Sequence, residues 1–242
     1  MSHQRQPVIE LSGIEFSYPG ADPVFRGLDF SFFSGDRVGL LAPNGSGKTT
    51  FFLMIMGLIR PDKGEVKIFG QPARREKDFV RIRQRIGLLF QDADDQLFCP
   101  TVLEDVAFGP MNMGKPKSEA MEIARKTLAF LGLTGYEDKI TFQLSGGEKR
   151  LVSLAAVLAM KPEVLLLDEP LTGLDIRTRK IIPDILRQID LSYIIISHNI
   201  DFLLSTTRAI YTLDQGKIIL DPHVHHHQHE HAHLFGDRPH QH

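Results

Sequence analysis

Apolar and polar positions alternate in short runs over the first seventy residues. Val8–Leu11, Ile14–Tyr18, Leu28–Phe33 and Glu65–Phe69 are rich in β-branched or aromatic residues. Pro19-Gly20, Ser34-Gly35-Asp36 and Pro61-Asp62-Lys63-Gly64 punctuate them, so the pattern predicts strands joined by turns. Arg37–Ala42 is nearly all apolar, as in a strand buried on both faces. A glycine-rich turn follows, then an apolar helical run to Met56 that Gly57 and Pro61 stop. Ile86–Phe90 reads as another buried strand. The middle third turns helical. Ser118 can cap a helix with Ala120, Ile123, Ala124, Leu128 and Leu131 at helical spacing and Gly132 as its stop. A second helix from near Glu148 carries Leu151, Leu154, Ala155 and Leu158 on one face, and Pro162 ends it. Val164–Asp168 and Tyr193–Ser197 read as buried strands with a helical stretch after Asp175 between them. Ala209–Leu213 and Lys217–Leu220 predict a closing hairpin around Asp214-Gln215-Gly216. The whole reads as an α/β core with a helical insert at about residues 92–162, and no internal repeat is visible.

Composition narrows the class. Of 242 residues, 42% are apolar and 24% charged, which excludes general disorder and fibrous repeats. Twenty-eight basic against thirty acidic residues leave a formal charge of −2, without the basic excess of a dedicated nucleic-acid binder. The single cysteine, Cys99, cannot staple a fold and suggests a reducing cytosol. The first seven residues precede no apolar run, so no signal peptide is expected. The longest apolar stretches fall far short of the roughly 20 residues that span a bilayer, so any membrane crossing is left to other chains. Nine of the eleven histidines lie between His223 and His242, which divides the chain into a body over residues 1–221 and a histidine-loaded tail over 222–242.

Two segments carry recognisable chemistry. After the strand Arg37–Ala42 the chain reads Ala42-Pro43-Asn44-Gly45-Ser46-Gly47-Lys48-Thr49-Thr50, a phosphate-binding loop in its required strand–loop–helix context. Glycines let backbone N–H groups approach phosphate, and the helix N-terminus adds its positive dipole end. Lys48 can neutralise terminal phosphates, and the Thr49 hydroxyl can enter a Mg²⁺ shell. The loop pattern asks for glycine where Ala42 stands, which matters only if that position needs positive φ. Val164–Glu169 places Asp168 and Glu169 at the end of a buried strand, where doubly wound sheets put their ligands. Asp168 suits the Mg²⁺ shell and Glu169 a base for an attacking water.

Leu144-Ser145-Gly146-Gly147-Glu148-Lys149-Arg150 then makes the reading specific, because it resembles the signature segment of the ATP-binding-cassette (ABC) ATPases. The resemblance covers about residues 8–220. It implies a P-loop NTPase with a RecA-like core, an antiparallel β-subdomain and a helical subdomain. By resemblance, Tyr18 stacks on adenine and Gln91 senses Mg²⁺ and the attacking water. Ser145 and Gly147 contact the nucleotide of a second subunit, Asp175 in Leu171–Asp175 crosses the dimer interface, and His198 contacts the γ-phosphate. The resemblance thus implies a homodimer that sandwiches and hydrolyses two MgATP, with all catalytic positions present in one chain.

The stretch Phe90–Phe98 followed by Thr101–Pro110 is similar to the energy-coupling-factor importers, and within them to the cobalt and nickel branch. That implies integral membrane coupling and substrate-binding subunits, no nucleic acid, a peripheral place on the cytoplasmic face of the membrane, and a role for Gln96 near the coupling surface. The tail bears on metal independently. His223, His225, His227, His229, His231 and His233 occupy alternate positions. In an extended segment they would share one side at roughly 6.5–7 Å spacing. Imidazole suits Ni²⁺, Co²⁺, Zn²⁺ and Cu²⁺ alike, so the tail names no ion. Its composition cannot build a core, and disorder is the expectation. Val, Gln, Glu and Ala interrupt the histidines, unlike an unbroken purification tag. Vitamin import, a soluble cassette ATPase acting on ribosomes or DNA, and metal storage or delivery with regulatory ATP binding remain the alternatives.

Overall fold

A computed structural model describes residues 6–43 and 45–220. The first layer is an antiparallel sheet. Strand β1 (Pro7–Ser17) pairs with β2 (Pro23–Phe33) on one side and β4 (Lys63–Ile68) on the other, and the short β5 (Gln71–Pro72) extends it. The two strands expected within 8–18 are one. A register shift between Leu11 and Ile14 accommodates the break, with Gly13 at φ 59° and its N–H bonded to Asp29 Oδ1 at 2.7 Å. A carboxylate on the neighbouring strand therefore satisfies the bulge, which is why the chain need not turn there.

The second layer is a six-stranded sheet. It contains β3 (Arg37–Leu41), β6 (Ile86–Leu89), β7 (Val164–Asp168), β8 (Ser192–Ile196), β9 (Ala209–Asp214) and β10 (Lys217–Leu220) in the order β10-β9-β3-β8-β7-β6. Neighbours are parallel except β10, which closes antiparallel on β9 as the expected hairpin. The carboxyl ends of β3, β6, β7 and β8 thus share one edge of the sheet.

Seven α-helices follow in chain order among the described residues: α1 (Lys48–Ile55), α2 (Glu76–Arg85), α3 (Val102–Asn112), α4 (Lys117–Phe130), α5 (Gly146–Ala159), α6 (Ile176–Gln188) and α7 (Ile200–Thr206). Helix α4 begins after Pro116, and Ser118 lies inside its first turn rather than capping it. Proline there, at φ −55°, sets an extended entry and needs no cap for an N–H it lacks. Helix α2 buries only Phe79 and Ile82, too sparse an apolar stripe to announce a helix. Helices α3, α4 and α5 pack on one another.

Two apolar cores flank the six-stranded sheet. Leu165, Leu167, Tyr193 and Ile195 face the core shared with α3, α4, α5 and α6. Val164, Leu166, Ile194 and Ile196 face the core shared with α1 and the antiparallel sheet. Residues alternate between the two faces of a strand, so β7 and β8 must be apolar throughout. The edge of the sheet is held between two filled layers, and the loops that leave it start from rigid strand ends.

Candidate active site

The loop between β3 and α1 has two glycines in the left-handed region, Gly45 at φ 80° and Gly47 at φ 96°. Gly47 is required twice over, because a Cβ there would also lie 2.5 Å from Val24 Cγ1. Ala42 is buried and is not among the four non-glycine residues with positive φ in the described chain, which are Phe69, Lys161, Glu169 and Gln215. The missing glycine therefore costs the loop no strain. Asn44 lies outside the described residues.

Lys48 and Thr49 open α1 directly against the end of β7. Thr49 Oγ1 donates to Asp168 Oδ2 at 3.1 Å, and Lys48 Nζ lies 3.1 Å from Glu169 Oε1. Lys48 and Glu169 side chains are 10% and 3% exposed, so this ion pair is screened little by water. Burial pushes the Asp168 carboxyl above its ordinary range, opposed by its bond from Thr49 and the charge of Lys48. Asp168 Oδ1 and Ser46 Oγ are buried without a hydrogen-bond partner among the described residues. Orphaned oxygens beside a hydroxyl, a lysine and a helix N-terminus are what a hydrated divalent cation and a phosphate chain would satisfy, so MgATP fits the residues present.

Glu169 is held from several sides. Its backbone sits at φ 44°, a strained conformation for a side-chain-bearing residue. Its N–H donates to Ile196 O at 2.9 Å, and Thr172 N–H donates to its carbonyl at 3.1 Å. His198 Nδ1 lies 2.9 Å from Glu169 Oε2, and Ser197 Oγ donates to the same oxygen at 3.4 Å. The imidazole itself is largely exposed. Gln91 lies across the edge, in a cleft of about 620 Å³ shared with Thr49, Asp168, Gly146, Lys149 and Arg150. Tyr18, half-exposed beside α1, shares a 3.1 Å hydrogen bond with Thr50 Oγ1 and meets Phe16 edge-on.

The signature segment is engaged within its own chain. Ser145 caps α5, and its N–H and hydroxyl both donate to Glu148 Oε2 at 2.8 Å. These bonds and one from Tyr136 hold the Glu148 carboxyl down to about 2. Both donors of Ser145, the residue expected to contact a second subunit's nucleotide, are thus occupied by Glu148. Asp175 caps α6 through Arg177 and Thr178 N–H, and Gly147 packs against that cap. The structure gathers Lys48, Thr49, Gln91, Asp168, Glu169 and His198 at one edge, whereas Gly147 meets Asp175 where α5 packs on α6 and Ser145 caps α5 next to it.

Arg150, Ser197 and the contact of Thr50 with Tyr18 join the site beyond the residues that the sequence marks. Arg150 carries a signal in hindsight, since it shares the helical spacing of the buried Leu154 and Val157. Burial pushes its guanidinium down to about 10, still charged at neutral pH. Cys99 is pushed up to about 11 by burial and by Asp105, which leaves it a protonated, inert thiol.

A parallel sheet with a phosphate loop after one strand, an acidic pair ending another and a signature helix beside them defines a nucleotide-hydrolysing cassette. The family model described as ABC transporter matches residues 25–172, and the chain belongs to that family. It is an ABC ATPase, the ATP-hydrolysing component of a transporter. A protein named putative ABC transporter ATP-binding protein from Nitratidesulfovibrio vulgaris is 48% identical over 98% of this chain and 86% of its own length. The energy-coupling factor transporter ATP-binding protein EcfA of Methanothermobacter thermautotrophicus is 43% identical over 88% of this chain and 70% of its own. The solved cbiO1 of Clostridium perfringens, part of the ABC transporter complex cbiONQ, matches with a TM-score of 0.79 and 31% identity over 88% of this chain and 87% of that one. No helix among the described residues is long and apolar enough to cross a membrane, and no group of three or more His, Cys, Asp or Glu among them is placed to hold a metal ion. The tail histidines His223, His225, His227, His229, His231 and His233 lie outside the described residues.

Proposed function

We propose that this chain energises import of nickel or cobalt through a membrane complex, as one of two identical cassettes on the cytoplasmic face of the membrane. The observation that carries the hydrolytic half is the contact of Thr49 with Asp168 and of Lys48 with Glu169, beside an orphaned carboxylate oxygen. Asn44, Gly45, Ser46, Gly47 and Thr50 belong to the segment that takes the phosphates. Thr49, Asp168 and Gln91 would hold Mg²⁺, which when bound would offset phosphate charge. Glu169 takes the proton of the attacking water, and His198 orients it and the γ-phosphate. Lys48 must trade Glu169 for phosphate, which frees the carboxylate when nucleotide arrives. Tyr18 offers its exposed ring to the adenine. Ser145, Gly147 and Asp175 act on the partner's nucleotide, with Ser145 exchanging Glu148 for phosphate as the dimer closes.

The membrane partner has a surface that suits it. An apolar groove of about 310 Å³ runs between the sheet and the helical layer, lined by Met56, Leu58, Phe98, Phe108 and Met160 among others. Gln96 does not project from this surface. Its amide oxygen accepts from Phe90 N–H at 3.4 Å and its amide nitrogen donates to Leu88 O at 3.3 Å, so it lines the groove while bonding the outer edge of β6, the end strand of its sheet. The likeness to EcfA and cbiO1 supports an energy-coupling importer, and the histidine-rich tail supports a metal cargo. On this reading the tail binds Ni²⁺ or Co²⁺ and concentrates it near the transporter.

The test is cellular accumulation of nickel, cobalt and zinc with the membrane subunits co-expressed, comparing wild type with Glu169→Gln. A selective rise in nickel or cobalt in wild type alone is expected. No difference in any metal, with ATP hydrolysis intact, overturns the metal cargo and favours vitamin import.

A further inference from the structure

Arg150 stands in the first half of α5 and is 2% exposed. Its partners are five backbone carbonyls. Nε donates to Pro170 O at 3.2 Å; Nη1 donates to Phe90 O and to Gln91 O at 3.2 Å; Nη2 donates to Asp168 O and Glu169 O, each at 2.8 Å. A guanidinium has five N–H groups, and each has its acceptor here. The carbonyls belong to two separate strand ends and the loops that leave them, one carrying Gln91 and the other Asp168 and Glu169. Phe90 is held through its other backbone group as well, since its N–H donates to Gln96 Oε1. Phe90 and Gln96 both line the apolar groove between the sheet and the helical layer.

We propose that Arg150 is a positioning residue that makes the placement of Gln91 and Glu169 depend on how helix α5 is seated. This rests on the hydrolytic roles given to those two residues above. The planar fork reaches both loops at once, and it does so from the helix whose N-terminus is the signature segment. Tilting α5 moves the fork, and with it the carbonyls on either side of the cleft. Movement of the groove or of the signature segment therefore reaches the attacking-water site without any side chain of α5 touching substrate. A lysine supplies charge but only three donors from one point, so it cannot span the two loops.

The full chain is assayed for MgATP hydrolysis as wild type, Glu169→Gln, Arg150→Lys and the double variant. A wild type that does not hydrolyse, or a Glu169→Gln variant as fast as wild type, strikes the underlying roles and is seen before Arg150 is tested. Arg150→Lys is expected to lower kcat about 100-fold, the scale of an ångström misplacement, while KM for MgATP stays within about threefold. In the Glu169→Gln background the same change is expected to add well under its full 100-fold, since the share that acts through Glu169 is already lost and only the share through Gln91 remains. A kcat within about twofold of wild type, a fall in kcat matched by a rise in KM, or a full-sized additional loss in the double variant overturns the proposal. Should Arg150→Lys melt below the assay temperature, Arg150→Ala is assayed with added guanidinium. Recovery of kcat by about tenfold at constant KM supports the fork, and no recovery overturns it.

Discussion

Gly147 lies in the first turn of α5 against the start of α6. A Cβ there would lie 2.7 Å from Thr178 Oγ1 and 2.9 Å from Asp175 Oδ2, atoms bonded to each other at 2.7 Å. Neither can yield without breaking the cap of α6. Gly147→Ala should destabilise the chain by about 1–3 kcal/mol in urea unfolding, as over-packing does. Glu148 supplies a second test. Its folded carboxyl is held down to about 2 against an ordinary value of 4.5, first by the Ser145 N–H and then by the Tyr136 hydroxyl. A depressed carboxylate contributes stability above its unfolded value and loses it as pH falls through the folded one. Glu148→Gln should therefore be less stable than wild type by about 1 kcal/mol at neutral pH, the scale of a lost cap. That difference should shrink as pH falls from 4.5 toward about 2; urea unfolding across that range checks it. Most single-residue chemistry was legible in the chain because loop, acidic pair and signature carry it in contiguous letters. Arg150 was not, because its partners are backbone carbonyls that leave no mark in the identities of residues 90, 91 and 168–170.

Helices and loops set the groove. Asp105 in α3 is buried, and its Oδ1 accepts from Phe98 N–H at 3.0 Å and Cys99 N–H at 2.9 Å. That fixes the loop presenting Phe98, which packs edge-on against Phe108. Asp105→Ala should loosen the loop and weaken association with the membrane subunits, leaving MgATP affinity unchanged; pull-down with those subunits beside nucleotide titration checks both. Helix α3 also carries a capping box, with Thr101 Oγ1 accepting from Glu104 N–H at 3.3 Å and Glu104 Oε2 accepting from Thr101 N–H at 3.2 Å. Thr101→Ala should cost about 1 kcal/mol in chemical unfolding, with kcat of the folded fraction retained. At this scale α4 and α5 were legible from their apolar spacing and α2, α3 and α7 were not; α2 buries only Phe79 and Ile82, too sparse a stripe to mark a helix.

The sheet is the scale at which the molecule holds together. Leu166 and Leu167 are adjacent and both fully buried, yet they serve different cores. Leu166→Ala and Leu167→Ala should each cost about 2–5 kcal/mol, measured by urea unfolding, because neither face of β7 has room to collapse. Removal of residues 222–242 should leave ATP hydrolysis and transport in place and weaken only metal binding; a truncated chain that no longer supports transport would make the tail the working end instead.

What the chain determined by itself was local and contiguous: the strand–loop–helix that can take phosphate, the acidic pair at a strand end, the signature turn, and the apolar strands that had to be buried. Short-range sterics and hydrogen bonding decide such features within a few residues. Tertiary structure decided which face of β7 and β8 meets which core, that Gln96 turns inward onto β6, that Ser145 spends its donors on Glu148, and that one guanidinium joins residues 90–91 to 168–170. Those depend on groups far apart in sequence meeting at one strand edge, and only packing of the two layers brings them there.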